Sequence, residues 1–177
     1  MRVILTAAIA LMSALPAMGQ DFVLTSADMK EGAQLSADQV FAGFGCEGGN
    51  LSPDLAWSGA PEGTKSFALT AYDPDAPTGS GWWHWGIANI PADTHSIAAG
   101  ASGKLTGGAM ELVNDYGVSG FGGACPPPGE VHRYIFTILA LGVETLDLPP
   151  DASNALAGFM INANSIDTAR LTAVYTR

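Results

Sequence analysis

The sequence predicts a mainly β protein built as one domain. Glycine and proline punctuate the chain every ten residues or so, and the pieces between them are short and rich in Val, Ile, Thr and aromatic residues. One segment alone repeats its apolar residues at helical spacing. At 177 residues the chain can bury one full-sized core, and a second independent domain has little room.

The elements follow in order. Residues 1–19 read as a secretory signal peptide: Arg2 supplies the positive start, Val3 to Leu15 is a short apolar run, and Ala17-Met18-Gly19 offers a small-x-small cleavage site. That run is shorter than the roughly 20 apolar residues a membrane span requires, and residues 20–177 are the expected domain. Phe22 to Thr25, Leu55 to Trp57, Ser66 to Tyr72, His84 to Ile90, His132 to Leu141 and Ala169 to Thr176 are the expected strands. The run from Tyr134 to Leu141 is almost continuously apolar, as in a strand covered on both faces. The loop from Ala92 to Tyr116 is long and glycine-rich, with room for a short helix or a mobile flap. Asp151, Ser153 and Asn154 offer N-cap chemistry, and Leu156, Phe159, Met160 and Ala163 fall at i, i+3, i+4 and i+7, so a helix is expected with that stripe on the sheet.

Seven Lys and Arg stand against 17 Asp and Glu, a net charge of −10 that becomes −11 once Arg2 leaves with the signal peptide. Such a charge disfavours nucleic acid and anionic membrane surfaces as partners. With no other apolar segment of spanning length, stable membrane insertion is not expected, and the periplasm is the expected destination, with secretion beyond it as the alternative. In an oxidising compartment Cys46 and Cys125, both in glycine-rich loops, form a disulfide by default; two free thiols are the alternative.

The chemistry concentrates in two segments about fifty residues apart: Asp73-Pro74-Asp75-Ala76-Pro77 leading to Trp82-Trp83-His84-Trp85, and Gly122-Gly123-Ala124-Cys125 followed by three prolines and leading to His132-Arg133-Tyr134. Each couples a turn-rich loop to a strand start, where binding groups are commonly mounted. The prolines fix the backbone that carries Asp73 and Asp75. If Asp73 reaches His84 or His132, it favours the imidazolium and sets up an N–H donor. Asp75 has a turn-capping or cross-linking role as its alternative. Strict alternation sends His84 to the face opposite Trp83 and Trp85, places His132 and Tyr134 together, and turns Arg133 away toward an ion pair. His95, in a polar loop, reads as a surface residue.

These two blocks, the approach Gly49-Asn50-Leu51-Ser52-Pro53 and the helix residues Ala157-Gly158-Phe159-Met160 resemble the phosphatidylethanolamine-binding protein family, in its bacterial branch of Raf-kinase-inhibitor-like proteins. The resemblance implies a central antiparallel β-sheet with a smaller second sheet and a few peripheral helices. It also implies an end-of-sheet cavity for phosphate or phosphoethanolamine headgroups. By position the pocket falls on Asp73, Pro77, His84, His132 and Tyr134, with Asp75 and Gly123 as lining residues. Two departures stand out. Trp83 replaces the second histidine of animal members, and the sequence stops at Arg177 directly after its last strand, so their pocket-bordering C-terminal helix is not expected and a more open site is.

The expected function is therefore a non-catalytic binder of small anions or phosphorylated headgroups, without cofactor or metal, acting on its own or by modulating an unidentified protein partner; a homodimer is compatible with the sequence. The alternatives are a protease- or kinase-inhibitor-like interaction protein and, less favoured, a metal-assisted hydrolase using Asp73, His84 and His132. The second lacks HExxH-like spacing or a nucleophile elbow in the sequence.

Overall fold

The computed structural model describes residues 20–177; the expected signal peptide lies outside them. Ten strands, one α-helix and one 3₁₀ turn (Ala37–Gln39) make up the regular structure of these residues. The strands are β1 (Val23–Thr25), β2 (Ala42–Gly43), β3 (Cys46–Glu47), β4 (Leu55–Ser58), β5 (Ser66–Asp73), β6 (Trp82–Pro91), β7 (Ser96–Ile97), β8 (Met110–Glu111), β9 (Val131–Leu141) and β10 (Ser165–Thr176); the helix is α1 (Asn154–Asn164). The large sheet has five antiparallel strands in the order β10-β9-β5-β6-β8, the smaller sheet has the order β1-β4-β7, and β2 and β3 form a hairpin. A central antiparallel sheet with a smaller second sheet is thus what the chain adopts.

The two sheets bury one core between them. Leu24, Leu55 and Trp57 of the smaller sheet meet Phe67, Leu69, Trp85, Ile87, Phe136 and Ile138 of the larger. A second cluster, including Ala68, Ala88, Leu139 and Leu141, lies on the other face under α1. β9 is accordingly buried on both sides from Phe136 to Leu141, with Thr137 the one polar residue in that span, while Val131, Arg133 and Ile135 nearer its start are exposed or half-buried. No helix among the described residues is long and apolar enough to cross a membrane.

Two local expectations are corrected. The helix begins as expected, with the Ser153 hydroxyl accepting from the Leu156 N–H, but it buries Asn154, Ala157 and Ile161 instead of the expected stripe. Leu156 is 47% and Phe159 75% exposed, Ala163 is exposed, and Met160 alone is half-buried at the edge of the core. The reason is the docking of Asn154: its Nδ2 donates to the Val113 carbonyl, and its side chain fills the space left by the missing Cβ of Gly86. That contact fixes the rotation of the whole helix, and the small Ala157 then lets it approach the sheet. The Ala92 to Tyr116 loop holds no helix; β7 and β8 lie within it, and Glu111 fastens it by accepting from Trp85 Nε1, the Ser102 hydroxyl and the Gly103 N–H.

Candidate functional site

Antiparallel pairing brings the two dense segments together. β5 ends at Asp73 at the same edge where β6 and β9 begin, so the loop after β5 and the loop before β9 become neighbours. His84 is then aimed by a β-bulge. Ala71 pairs with Trp85 and Tyr72 with Trp83, which leaves His84 without a partner on β5. A bulged residue breaks strict alternation, so His84 and Trp85 share the inner face and only Trp83 points outward, beside Tyr72. Alternation alone had put His84 opposite both tryptophans. Gly122 holds the bulge from across the loop, its N–H donating to the His84 carbonyl at 2.8 Å and its carbonyl accepting from His84 Nδ1 at 2.7 Å.

Asp73, Pro77, His84, His132 and Tyr134 all line one cavity of about 430 Å³, together with Phe44, Trp82, Tyr116, Cys125, Pro126 to Pro128 and Arg177. Asp73 is buried and does two jobs. One carboxylate oxygen caps the following turn, accepting from the N–H groups of Asp75 and Ala76, and the other accepts from His132 Nδ1 at 2.7 Å. Glu130, half-exposed, meets the opposite ring nitrogen of His132 at 3.0 Å. Burial works against charge on His132, but the carboxylates of Glu130 and Asp73 outweigh it and raise its pKa above the usual histidine value. His132 is clamped between two acids that favour its imidazolium form.

His84 is the opposite case. Burial is the largest influence and lowers its pKa, against the opposing pull of the Gly122 carbonyl and Asp73. A carbonyl can only accept, so the proton of the neutral ring sits on Nδ1 and the lone pair on Nε2. That Nε2 is buried without a hydrogen-bond partner among the described residues, and so are the Tyr134 hydroxyl and the Trp82 indole N–H. Burial, reinforced by Asp73, raises the Tyr134 pKa well beyond the ordinary phenol range, so its hydroxyl stays a donor. Buried polar atoms are nearly always paired, so three unpartnered polar atoms on residues that line one cavity mark it as the candidate site.

Two expected lining residues lie elsewhere. The Asp75 carboxylate points at Arg133, accepting from its Nε, Nη2 and backbone N–H at 2.7–2.9 Å, and this pairing lowers its pKa to about 2. Gly123 stands behind the wall, where its N–H donates to Asn50 Oδ1 and a Cβ would come within 2.5 Å of the backbone at Gln39 and Phe41. Gly123→Ala is expected to destabilise the fold by about 1–3 kcal/mol through overpacking, seen as a lower urea midpoint at unchanged slope. Among the described residues no group of three His, Cys, Asp or Glu side chains is arranged to hold a metal ion.

Residues that sequence reasoning passed over complete the walls. Tyr116 stacks on Phe41 with ring centroids 4.0 Å apart and meets Trp82 edge-on at 5.2 Å. Phe44, 71% exposed, sits at the tip of the β2–β3 hairpin, where Phe44 and Gly45 both have positive φ as a two-residue type I′ turn requires. Arg177 spans the rim, its Nε donating to the Pro126 carbonyl and its Nη1 to that of Gly45. Trp82 could have been found from its spacing of two from His84; Phe44, Tyr116 and Arg177 carry no local signal. Cys46 and Cys125 form a disulfide with Cα atoms 6.0 Å apart, which ties this hairpin to the cavity wall.

Known proteins are similar to this chain in sequence and fold. Residues 25–176 match the family model described as phosphatidylethanolamine-binding protein. The chain is 55% identical to UPF0098 protein YbcL of Escherichia coli over 159 residues, 87% of each chain, and 47% identical to YbhB of the same organism over 86% of this chain and 99% of that one. A putative lipoprotein, LppC of Mycobacterium tuberculosis, is 36% identical over 75% of this chain and 63% of its own. The crystal structure of E. coli YbcL, described as a new member of the mammalian PEBP family, superposes with a TM-score of 0.87 at 53% identity, covering 89% of this chain and 99% of that one. The chain belongs to the phosphatidylethanolamine-binding protein family.

Proposed function

We propose that this protein is an exported, non-catalytic binder of small anions and phosphorylated headgroups, held in the cavity between Asp73, His84, His132 and Tyr134. The observation that carries the reading is the trio of unpartnered buried polar atoms, His84 Nε2, Tyr134 Oη and Trp82 Nε1, on residues of one cavity. Tyr134 and Trp82 donate outright. His84 offers a lone pair when neutral, so it accepts from a protonated phosphate oxygen or takes up a proton as an anion arrives. In a chain of net charge −10 the attraction is local, made by the Tyr134 and Trp82 donors and by His84 as it takes up a proton, since both ring nitrogens of His132 are held by Asp73 and Glu130. Export is supported by the Cys46–Cys125 disulfide, by the signal-peptide pattern of residues 1–19 and by the lipoprotein name of one relative.

Because the complex favours a proton on His84, whose free pKa lies below the usual histidine value, affinity is expected to fall as pH rises. Calorimetric titration with phosphate and phosphoethanolamine checks the site, and sulfate, which does not itself titrate near neutrality, assigns the pH dependence to the protein. Saturable binding should weaken about tenfold in His84→Ala, the scale of one charge-assisted hydrogen bond. Equal affinity in wild type and His84→Ala would overturn the residue assignment.

A further inference from the structure

A second cavity, of about 350 Å³, opens on the outer face of the large sheet, opposite the core that backs the first site. Strand register defines its floor. One row runs Arg170, Thr137, Thr70 across β10, β9 and β5, and the next runs Ile135, Tyr72, Trp83 across β9, β5 and β6. Ile161 of α1 closes one side, and the rest of this face has no covering element, because the helix reaches only over the second core cluster.

The two ends of the cavity differ in chemistry. At one end Tyr72 and Trp83 pack with centroids 4.4 Å apart. The Tyr72 ring is fixed by its hydroxyl, which donates to the Ser80 carbonyl, and the β6 backbone beneath Trp83 is held by the Trp83 backbone N–H donating to Asp115 Oδ2. At the other end stands Arg170, which takes no part in the three ion pairs found among the described residues. An acidic chain with 17 Asp and Glu thus leaves a guanidinium unpaired beside a cavity. The Thr137 and Thr70 side chains, partners across β9 and β5, supply hydroxyls along the floor between the two ends.

We propose that this cavity is a second binding site, for a small aromatic carboxylate. Its ring lies on the Tyr72–Trp83 pair and its carboxylate takes the planar fork of Arg170, which matches two oxygens at once. Three strand spacings separate β10 from β6, about 14 Å, and the arginine side chain spans part of that gap, so an arylalkanoate with a short linker fits. The site is independent of the anion cavity, because no residue lines both.

The test uses 3-phenylpropionate and its uncharged amide, followed by NMR of the full domain. Saturable shifts are expected at the Trp83 indole N–H and at Tyr72, about tenfold weaker for the amide and in Arg170→Gln, and unchanged by saturating phosphate or by His84→Ala. Arg170 is exposed, so the variant should fold normally, and its unperturbed amide spectrum verifies this. Equal affinity for acid and amide, no loss in Arg170→Gln, or shifts that fail to saturate or fall on the His84 cavity would overturn the proposal.

Discussion

Asp73→Ala is expected to destabilise the protein by about 3–5 kcal/mol, because it removes one partner of a buried pair and leaves His132 with only the half-exposed Glu130 as counter-charge. His132 and Asp73 are 3% and 4% exposed at the side chain and 2.7 Å apart, and the second Asp73 oxygen also caps the turn at Asp75 and Ala76. Asp73→Asn should do less harm, since its amide oxygen can still cap the turn, but it should lower the His132 pKa. The pH dependence has a definite sign. The folded pKa of His132 is raised, so its contribution is fully present below the unfolded value of about 6.5 and is lost as pH rises through the folded pKa. Urea denaturation of wild type and Asp73→Ala at acidic and alkaline pH should show the gap narrowing on the alkaline side. A gap that widens there would place the charge state of His132 the other way.

Loss of the Cys46–Cys125 bridge is the other large expected effect. The two cysteines are 79 residues apart in sequence, for which the chain-entropy description gives about 4–5 kcal/mol. Domains of this size have total stabilities of about 5–15 kcal/mol, so Cys46→Ser/Cys125→Ser should retain little margin. Thermal melts with and without reductant measure this: wild type should lose most of the difference on reduction, and the double variant should not respond. Ligand affinity should fall as well, because the bridge fastens the Phe44 hairpin to the wall that carries Cys125.

Much of this organisation was legible in the residues. Short β-rich runs between glycines and prolines located every long strand, and the two dense segments converge because antiparallel strands joined at one end must bring their loops together. The Arg133 ion pair and the pairing of His132 with Tyr134 on one face follow from alternation. What stayed hidden depended on single long-range contacts. The bulge at His84 is a register shift against β5 that no local pattern announces. The rotation of α1 is set by Asn154 against Gly86, and because the helix is apolar on two sides its sequence does not choose the buried one. Tyr116 and Phe44 are held at the cavity by side-chain contacts, both packing on Phe41 and the Tyr116 hydroxyl donating to the Gly123 carbonyl.

The most direct test is ¹⁵N NMR of the His84 and His132 imidazoles during titration with phosphate and with phosphoethanolamine. The expected result is a saturable shift at His84 Nε2 while Nδ1 stays protonated on the Gly122 carbonyl, accompanied by a shift at His132 and weakened in Tyr134→Phe. If neither ring responds at millimolar ligand, the cavity is not an anion site and the proposed function fails.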